Sequence, residues 1–166
     1  IILPDEKLTF YSLATLFVYQ NYVSLVESSD KRGGRLKNRV HFFLDEFGNF
    51  SKLDSMSVLL TVGAGRGIRF HLFLQAFSQL EEKYGKESSS TILDNCHAWI
   101  YLKTYNFSTA EAISKKLGQY TTSSYSKSSS YNAGGGYSAN VSNSMNLIAR
   151  PLLTEEEVMR IERPHV

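Results

Sequence analysis

The chain has 166 residues, of which 42% are hydrophobic and 13% aromatic, so it is long enough to build the core of one domain of ordinary size. Its formal net charge of +2 is too small to indicate nucleic-acid binding by itself. The single cysteine, Cys96, excludes an internal disulfide and a cysteine-rich zinc site.

The first long segment, Leu8 to Val26, contains no charged residue and is nearly long enough to cross a bilayer. Six polar residues are spread through it, and they would be costly in lipid: Thr9, Ser12, Thr15, Gln20, Asn21 and Ser24. The segment therefore predicts a helix that is buried against a sheet or lies at an interface. Ile1 to Leu3 would be the end of a preceding strand, broken by Pro4.

A basic cluster follows between Lys31 and Arg39 and contains a Gly-Gly pair. Two interpretations stay open. The cluster is a solvated connecting loop, or it contacts DNA phosphates without sequence specificity through counterion release.

The next segment, Val40 to Leu44, is an apolar run of strand length that ends in two adjacent carboxylates, Asp45 and Glu46. Such a run predicts a buried strand of a parallel sheet, and ligands bind outside the carboxyl ends of those strands. In nucleotide-hydrolysing enzymes this arrangement is the Walker B element, in which the first acid helps to hold Mg²⁺ and the second polarises the attacking water. The alternative is a strand followed by an acidic turn.

The pattern then alternates between helix and strand. Residues 52–62 have helical spacing, Gly63 to Gly67 is expected to break that helix, and Ile68 to Leu74 is a second apolar strand that ends at Gln75. Residues 76–84 predict another helix, stopped by Gly85. This order predicts an α/β fold in which a parallel sheet carries Asp45, Glu46 and Gln75 at its strand ends.

The histidines and the cysteine show no metal-ligand spacing. Cys96 and His97 are adjacent before a predicted third strand, Ala98 to Thr104, where neighbouring side chains point to opposite faces. His41 and His71 belong to the two apolar strands. All four are therefore predicted to be buried or strand-end residues with a structural role.

Beyond the third strand, Ser108 to Glu111 reads as a capping box that opens a helix ending before Gly118, and Thr154 to Glu157 reads as a second capping box. Residues 120–146 are rich in Tyr, Ser, Asn and Gly and predict a flexible loop or an irregular hairpin. That segment is either a surface loop or an element whose tyrosines stack on single-stranded bases, namely Tyr125, Tyr131 and Tyr137.

Several motifs occur in an order that resembles the TraG/TraD-like coupling proteins of type IV secretion. They are LDEFGN, GxGRGI, FLQAFSQLEEKYG, ILDNC and RPLLTEEEVMRI, and the resemblance covers almost the whole chain. It implies a RecA-like P-loop NTPase core fragment, with a mainly parallel sheet flanked by helices. It also implies an ATPase motor of conjugation that recruits and helps to translocate DNA–protein substrates.

The resemblance assigns roles to individual residues. Asp45 would hold Mg²⁺ through water, Glu46 would activate the attacking water, and Gln75 would sense the γ-phosphate of ATP. The intact protein would use ATP and Mg²⁺, form a homo-hexamer, and meet DNA, relaxase-type proteins and secretion-channel components. It would work at the cytoplasmic face of the bacterial cell membrane, attached through segments outside this chain, while residues 1–166 themselves would be soluble.

Two departures qualify the resemblance. No G-x-x-x-x-G-K-[ST] phosphate loop occurs in the 166 residues, so ATP hydrolysis is expected of the intact protein and not of this chain alone. We therefore expect residues 1–166 to form one domain, the second half of a motor domain from a longer polypeptide. In addition, Ala64 stands where family members often carry arginine, which leaves Arg66 as the candidate for an arginine supplied to a neighbouring subunit, with Arg69 second.

Two other functions stay open. One is a different RecA-like hexameric DNA translocase, although the ILDNC and RPLLTEEEV motifs favour the coupling proteins. The other is a non-hydrolysing partner module that keeps the fold, which the missing phosphate loop and Ala64 favour and the retained Asp45, Glu46 and Gln75 disfavour.

Overall fold

The computed structural model describes residues 9–131 and 139–162. The chain divides into two compact units, Ile1–Tyr101 and Leu102–Val166, and each is described by itself. The strand end predicted at residues 1–3, the glycine run at 134–136 and Tyr137 lie outside the described residues.

The first unit alternates helices with a parallel strand pair. Its elements are α1 (Thr9–Asp30), β1 (Val40–Leu44), a 3₁₀ turn (Phe47–Asn49), α2 (Met56–Arg66), β2 (Ile68–Leu72), α3 (Ser78–Tyr84) and α4 (Lys86–Asn95). β1 and β2 pair in parallel, from Val40 opposite Ile68 to Leu44 opposite Leu72. The predicted parallel pairing of these two strands is therefore confirmed, with α2 as part of the crossover.

One face of the strand pair is covered and forms the core. Leu44 and Ile68 are buried together with side chains of α1 and α2, among them Val18, Met56 and Leu60. Among the described residues, no helix has both the length and the apolar character needed to span a membrane.

The end of α2 differs from the prediction. Gly63 to Arg66 do not break the helix but form its last turn, and the helix ends at Gly67 with φ 89°. Gly63 is buried, and a Cβ built on it would lie 3.4 Å from the ring of Tyr22 and 3.5 Å from Ile68. Tertiary packing therefore carries the helix through these glycines, and only Gly67 needs the left-handed conformation that glycine tolerates.

The predicted third strand, Ala98 to Thr104, is wrong for this structure, because these residues have no regular secondary structure. Trp99 donates from Nε1 to the carbonyl of Cys96 over 2.8 Å and packs edge-on against Phe77, while Ile100 is 89% exposed. An apolar segment becomes a strand only where a neighbouring strand pairs with it, and none of the described strands does so here.

The second unit contains α5 (Phe107–Leu117), β3 (Gln119–Tyr131), β4 (Ala139–Pro151) and α6 (Glu155–Arg160). β3 and β4 form a regular antiparallel pair, from Gln119 opposite Pro151 to Tyr131 opposite Ala139. Most of segment 120–146 therefore belongs to a hairpin.

Of the two capping boxes that the sequence predicts, the structure contains one. α5 is capped by Asn106, whose side chain accepts from the Thr109 N–H over 2.9 Å, so the box predicted at Ser108 is wrong. An Asn at the N-cap satisfies a helix N–H as well as a serine would, and it lies one residue before α5 begins. The box at Thr154 and Glu157 is confirmed at the start of α6.

Candidate functional site

A shallow cleft of about 170 Å³ lies at the carboxyl ends of β1 and β2. It is lined by Asp45, Glu46, Asn49, Phe73, Leu74, Gln75 and Gln79. The backbone joins the two strand ends, because the Phe47 N–H donates to the carbonyl of Phe73 over 2.9 Å and the Phe73 N–H donates to that of Leu44 over 3.1 Å. The structure thus brings together the three polar residues that the sequence places at the strand ends.

Glu46 is held in one orientation by two donors. Oε2 accepts from the Tyr11 hydroxyl over 3.1 Å and from the Asn49 amide over 2.9 Å. Within the described part of the chain, no group donates to Oε1. The residue also has φ 48°, the only positive φ of a non-glycine among the described residues, and such conformations cluster at functional sites. Glu46 therefore presents one fixed carboxylate oxygen that can accept from a further donor.

Asp45 is exposed at the end of β1, and its Oδ1 accepts from the Glu46 N–H over 3.0 Å. Mg²⁺ prefers oxygen ligands and is usually held by one or two carboxylates together with water and substrate phosphates. No group of three or more His, Cys, Asp or Glu residues that could hold a metal occurs among the described residues. The donor set fits a Mg²⁺ ion that is shared with a nucleotide, and it does not fit an all-protein metal site.

β2 ends at Leu72, two residues earlier than predicted, so Gln75 lies three residues beyond the strand, where it is tied to α3. Its backbone N–H donates to Oε1 of Gln79 over 3.2 Å. The same Gln79 side chain lies over Gly48, where a Cβ would come within 2.6 Å of it. Because Gly48 has no side chain, the Gln79 side chain can contact both the turn after Glu46 and the Gln75 N–H.

Lys83 does not line the cleft but supports the turn beside it. From α3 it reaches the turn after Glu46 and donates to the carbonyls of Gly48 and Phe50. Burial lowers the pKa of its amine, and the nearby charge of Glu82 acts in the opposite direction. No sequence pattern signals this role, because a lysine on a short helix is usually solvated.

Arg66 is not brought to the cleft. It lies at the C-terminal end of α2, before β2 begins, whereas Gln75 follows the opposite end of that strand. Its guanidinium donates to Oγ of Ser29 over 2.6 Å and forms an ion pair with Asp30. Arg69 donates to the carbonyl of Ala64 over 2.6 Å. Within this chain both arginines have structural partners, and the action of Arg66 on a neighbouring subunit stays a prediction.

Comparison with known proteins gives consistent matches. The family profile TraG-D_C, described as "TraM recognition site of TraD and TraG", matches residues 39–163. The Conjugal transfer protein TraG of Escherichia coli is 31% identical over 168 residues, which covers 97% of this chain and 26% of that protein. Protein VirD4 of Rhizobium rhizogenes is 29% identical over 145 residues, covering 87% of this chain and 21% of that protein.

Solved structures agree with this result. The bacterial conjugative coupling protein TrwB, in a trigonal form with sulphate, has a TM-score of 0.58 at 22% identity and covers 76% of this chain and 27% of that one. TrwB in complex with the ATP analogue ADPNP has a TM-score of 0.57 at 22% identity, with the same coverage. The likeness confirms the predicted α/β class, a RecA-like P-loop NTPase fold.

The chain spans about a quarter of the length of the curated relatives that match it first. The family profile covers most of this chain, and the motifs that suggested the resemblance lie largely within the matched range. The chain therefore belongs to the TraG/TraD family of conjugative type IV secretion coupling proteins.

Proposed function

We propose that the intact protein hydrolyses ATP and uses this reaction to help move DNA–protein substrates into a conjugative secretion channel. The observation that carries the proposal is the meeting of Asp45, Glu46 and Gln75 in one cleft at the ends of two parallel strands. This is where α/β folds bind their ligands. The phosphate-binding loop would come from a part of the protein beyond residues 1–166.

Asp45 would hold Mg²⁺, directly or through water, at the edge of the cleft. A bound Mg²⁺ ion neutralises charge on the phosphates of the nucleotide and orients them. Asp45 suits this role because it is exposed beside the cleft and because its Oδ1 accepts the Glu46 N–H, which orients the carboxylate.

Glu46 would orient the attacking water and take its proton at Oε1. The hydrogen bonds from Tyr11 and Asn49 engage only Oε2 and restrict rotation of the carboxylate. A base held in place before the reaction needs no reorganisation during it. Gln75 would contact the γ-phosphate and report its presence to α3 through Gln79.

The comparisons support the substrate classes in this proposal. One TrwB structure contains an ATP analogue, and the family description names a TraM recognition site in TraD and TraG. We extend nucleotide binding and recognition of partner proteins to the intact form of this protein. The proposal also includes DNA and relaxase-type substrates, contact with channel components, a homo-hexamer, and work at the cytoplasmic face of the bacterial cell membrane.

The decisive variant is Glu46→Gln in the intact protein. It keeps the shape of the side chain but removes the base, so we expect ATP binding within about twofold of the parent and turnover reduced at least about 10²-fold. Glu87→Gln, a change of an exposed acid on α4, is the matched control and should leave both unchanged. Phosphate release and fluorescent-nucleotide binding measure the two quantities.

Near-normal turnover of Glu46→Gln would contradict the assignment of the base. If the intact parent protein bound no nucleotide at all, the motor proposal itself would fail. The partner-module alternative, which the absent phosphate loop favours, would then take its place.

A further inference from the structure

Lys83, on the neighbouring helix α3, holds the turn that follows Glu46. This 3₁₀ turn satisfies its first two carbonyls with its own backbone N–H groups. The carbonyls at the end of a helical turn have no such partner within it, and a cation placed there is favourable. Here the Lys83 ammonium donates to the carbonyls of Gly48 and Phe50. The lysine therefore closes the open end of the turn.

Asn49 stands between the two residues whose carbonyls Lys83 holds. Its side-chain amide donates to Oε2 of Glu46 over 2.9 Å, and its backbone N–H donates to the Glu46 carbonyl over 2.7 Å. The Gly48 carbonyl belongs to the peptide group that joins Gly48 to Asn49. Fixing this carbonyl and that of Phe50 therefore fixes the backbone on both sides of Asn49, and with it the direction of the amide that holds the Glu46 carboxylate.

The ammonium of Lys83 is committed to these two carbonyls. The side chain is half-buried, and this burial lowers the pKa of the amine. The ion pairs found in the described part of the chain do not include Lys83. A partly desolvated ammonium costs free energy unless hydrogen bonds replace those that it made to water. The two carbonyls provide that replacement, so the contact is specific to the turn.

Lys83 and Gln79 are four residues apart and so lie on the same face of α3. Oε1 of Gln79 accepts from the Gln75 N–H over 3.2 Å, and the same side chain lies over Gly48. One helix face therefore contacts both the residue that would sense the γ-phosphate and the turn that orients the base.

We propose that Lys83 is a positioning residue for ATP hydrolysis, which orients the Glu46 carboxylate through the turn and Asn49. This inference rests on the function proposed above for Glu46. Lys83 does not line the cleft, so it contributes to the placement of the base and not to nucleotide binding. Loss of its two hydrogen bonds should therefore lower kcat and leave KM almost unchanged.

The test is Lys83→Met in the intact protein, a change that removes the ammonium and keeps an unbranched side chain. We expect kcat for ATP to fall about tenfold, while KM and the affinity for a fluorescent nucleotide stay within about twofold. Tyr84→Phe is the matched control on the same helix. The Tyr84 hydroxyl accepts from the Leu53 N–H over 3.3 Å, so its removal weakens the same segment away from Asn49 and should leave kcat unchanged.

A second pair of variants tests the route through Asn49. Asn49→Ala should lower kcat by about as much as Lys83→Met, and the double variant should be no slower than Asn49→Ala, because both changes release the same contact. If circular dichroism shows that Lys83→Met fails to fold, Lys83→Gln takes its place, with the same expected loss of kcat at unchanged KM.

The outcomes separate this inference from the function on which it rests. Parental kcat in the Lys83 variant, an equal loss in Tyr84→Phe, or losses that multiply in the double variant would each overturn the role of Lys83 alone. An intact parent protein that hydrolyses no ATP would overturn the function proposed for Glu46, and the role of Lys83 with it.

Discussion

The Tyr11 hydroxyl donates a hydrogen bond to Oε2 of Glu46 over 3.1 Å and so connects α1 to the end of β1. Tyr11 is only 4% exposed, and its ring packs edge-on against Phe50 at 5.8 Å. The proposed base is therefore positioned by a buried side chain of a helix that precedes it by 35 residues in the chain. A hydrogen bond to a charged group contributes about 1.5–3 kcal/mol.

This contact predicts the effect of Tyr11→Phe in the intact protein. The change removes the hydroxyl and keeps the ring, so we expect turnover to fall by about tenfold while nucleotide affinity stays within about twofold. Tyr19→Phe, at an exposed tyrosine of α1, is the control and should leave turnover unchanged. Steady-state kinetics measure the turnover of both variants. Unaltered turnover in Tyr11→Phe would show that Tyr11 does not position the base.

Gly48→Ala tests the contact between the turn and α3. The new Cβ would lie 2.6 Å from the end of the Gln79 side chain and displace it, which breaks the hydrogen bond from the Gln75 N–H. We expect the free energy of unfolding to fall by about 1 kcal/mol. In the background of Gln79→Ala, Gly48→Ala should leave the free energy of unfolding almost unchanged. The Gln79 side chain that the new Cβ would displace, and its hydrogen bond with the Gln75 N–H, are already absent there. Urea unfolding of the four proteins measures this coupling, and strictly additive effects would contradict it.

The stabilisation that Glu157 contributes at the start of α6 depends on pH. The Thr154 N–H lowers the pKa of the Glu157 carboxyl below its ordinary value of 4.5, and the ion pair with Arg150 adds to this effect. Because the pKa is lower in the folded state, the stabilisation is complete above pH 4.5 and is lost as the pH falls through the folded-state value. The difference in thermal unfolding temperature between the parent and Glu157→Gln should therefore be present at pH 7 and shrink as the pH is lowered below 4.5. A constant difference across this range would contradict the prediction.

Much of the first unit could be predicted from the sequence, because local signals and the final packing agree there. The apolar runs that became β1 and β2 are bounded by polar residues, and Gly85 ends α3 as predicted. The parallel order then follows from the intervening helix, and it brings Asp45, Glu46 and Gln75 to one edge. Sequence reasoning finds such a site when its residues stand at strand ends.

The features that were missed depend on partners distant in the chain. Gly63 continues α2 because Tyr22 and Ile68 pack beside it, and Ala98 to Thr104 is no strand because no described strand pairs with it. His41 and His71 meet only in the particular register of β1 with β2. A single sequence does not contain that register, so their contact could not be predicted from it.

Because β1 pairs with β2, a strand that lies later in the chain, the cleft cannot form until β2 has been synthesised. Asp45 and Glu46 leave the ribosome long before Gln75, with all of α2 between them. Until β2 has emerged, the nascent chain has the two acids but neither the neighbouring strand nor the Phe73 groups that hold the turn. A chain terminated after Glu46 but before Ile68 therefore carries the complete acidic motif and still has no cleft.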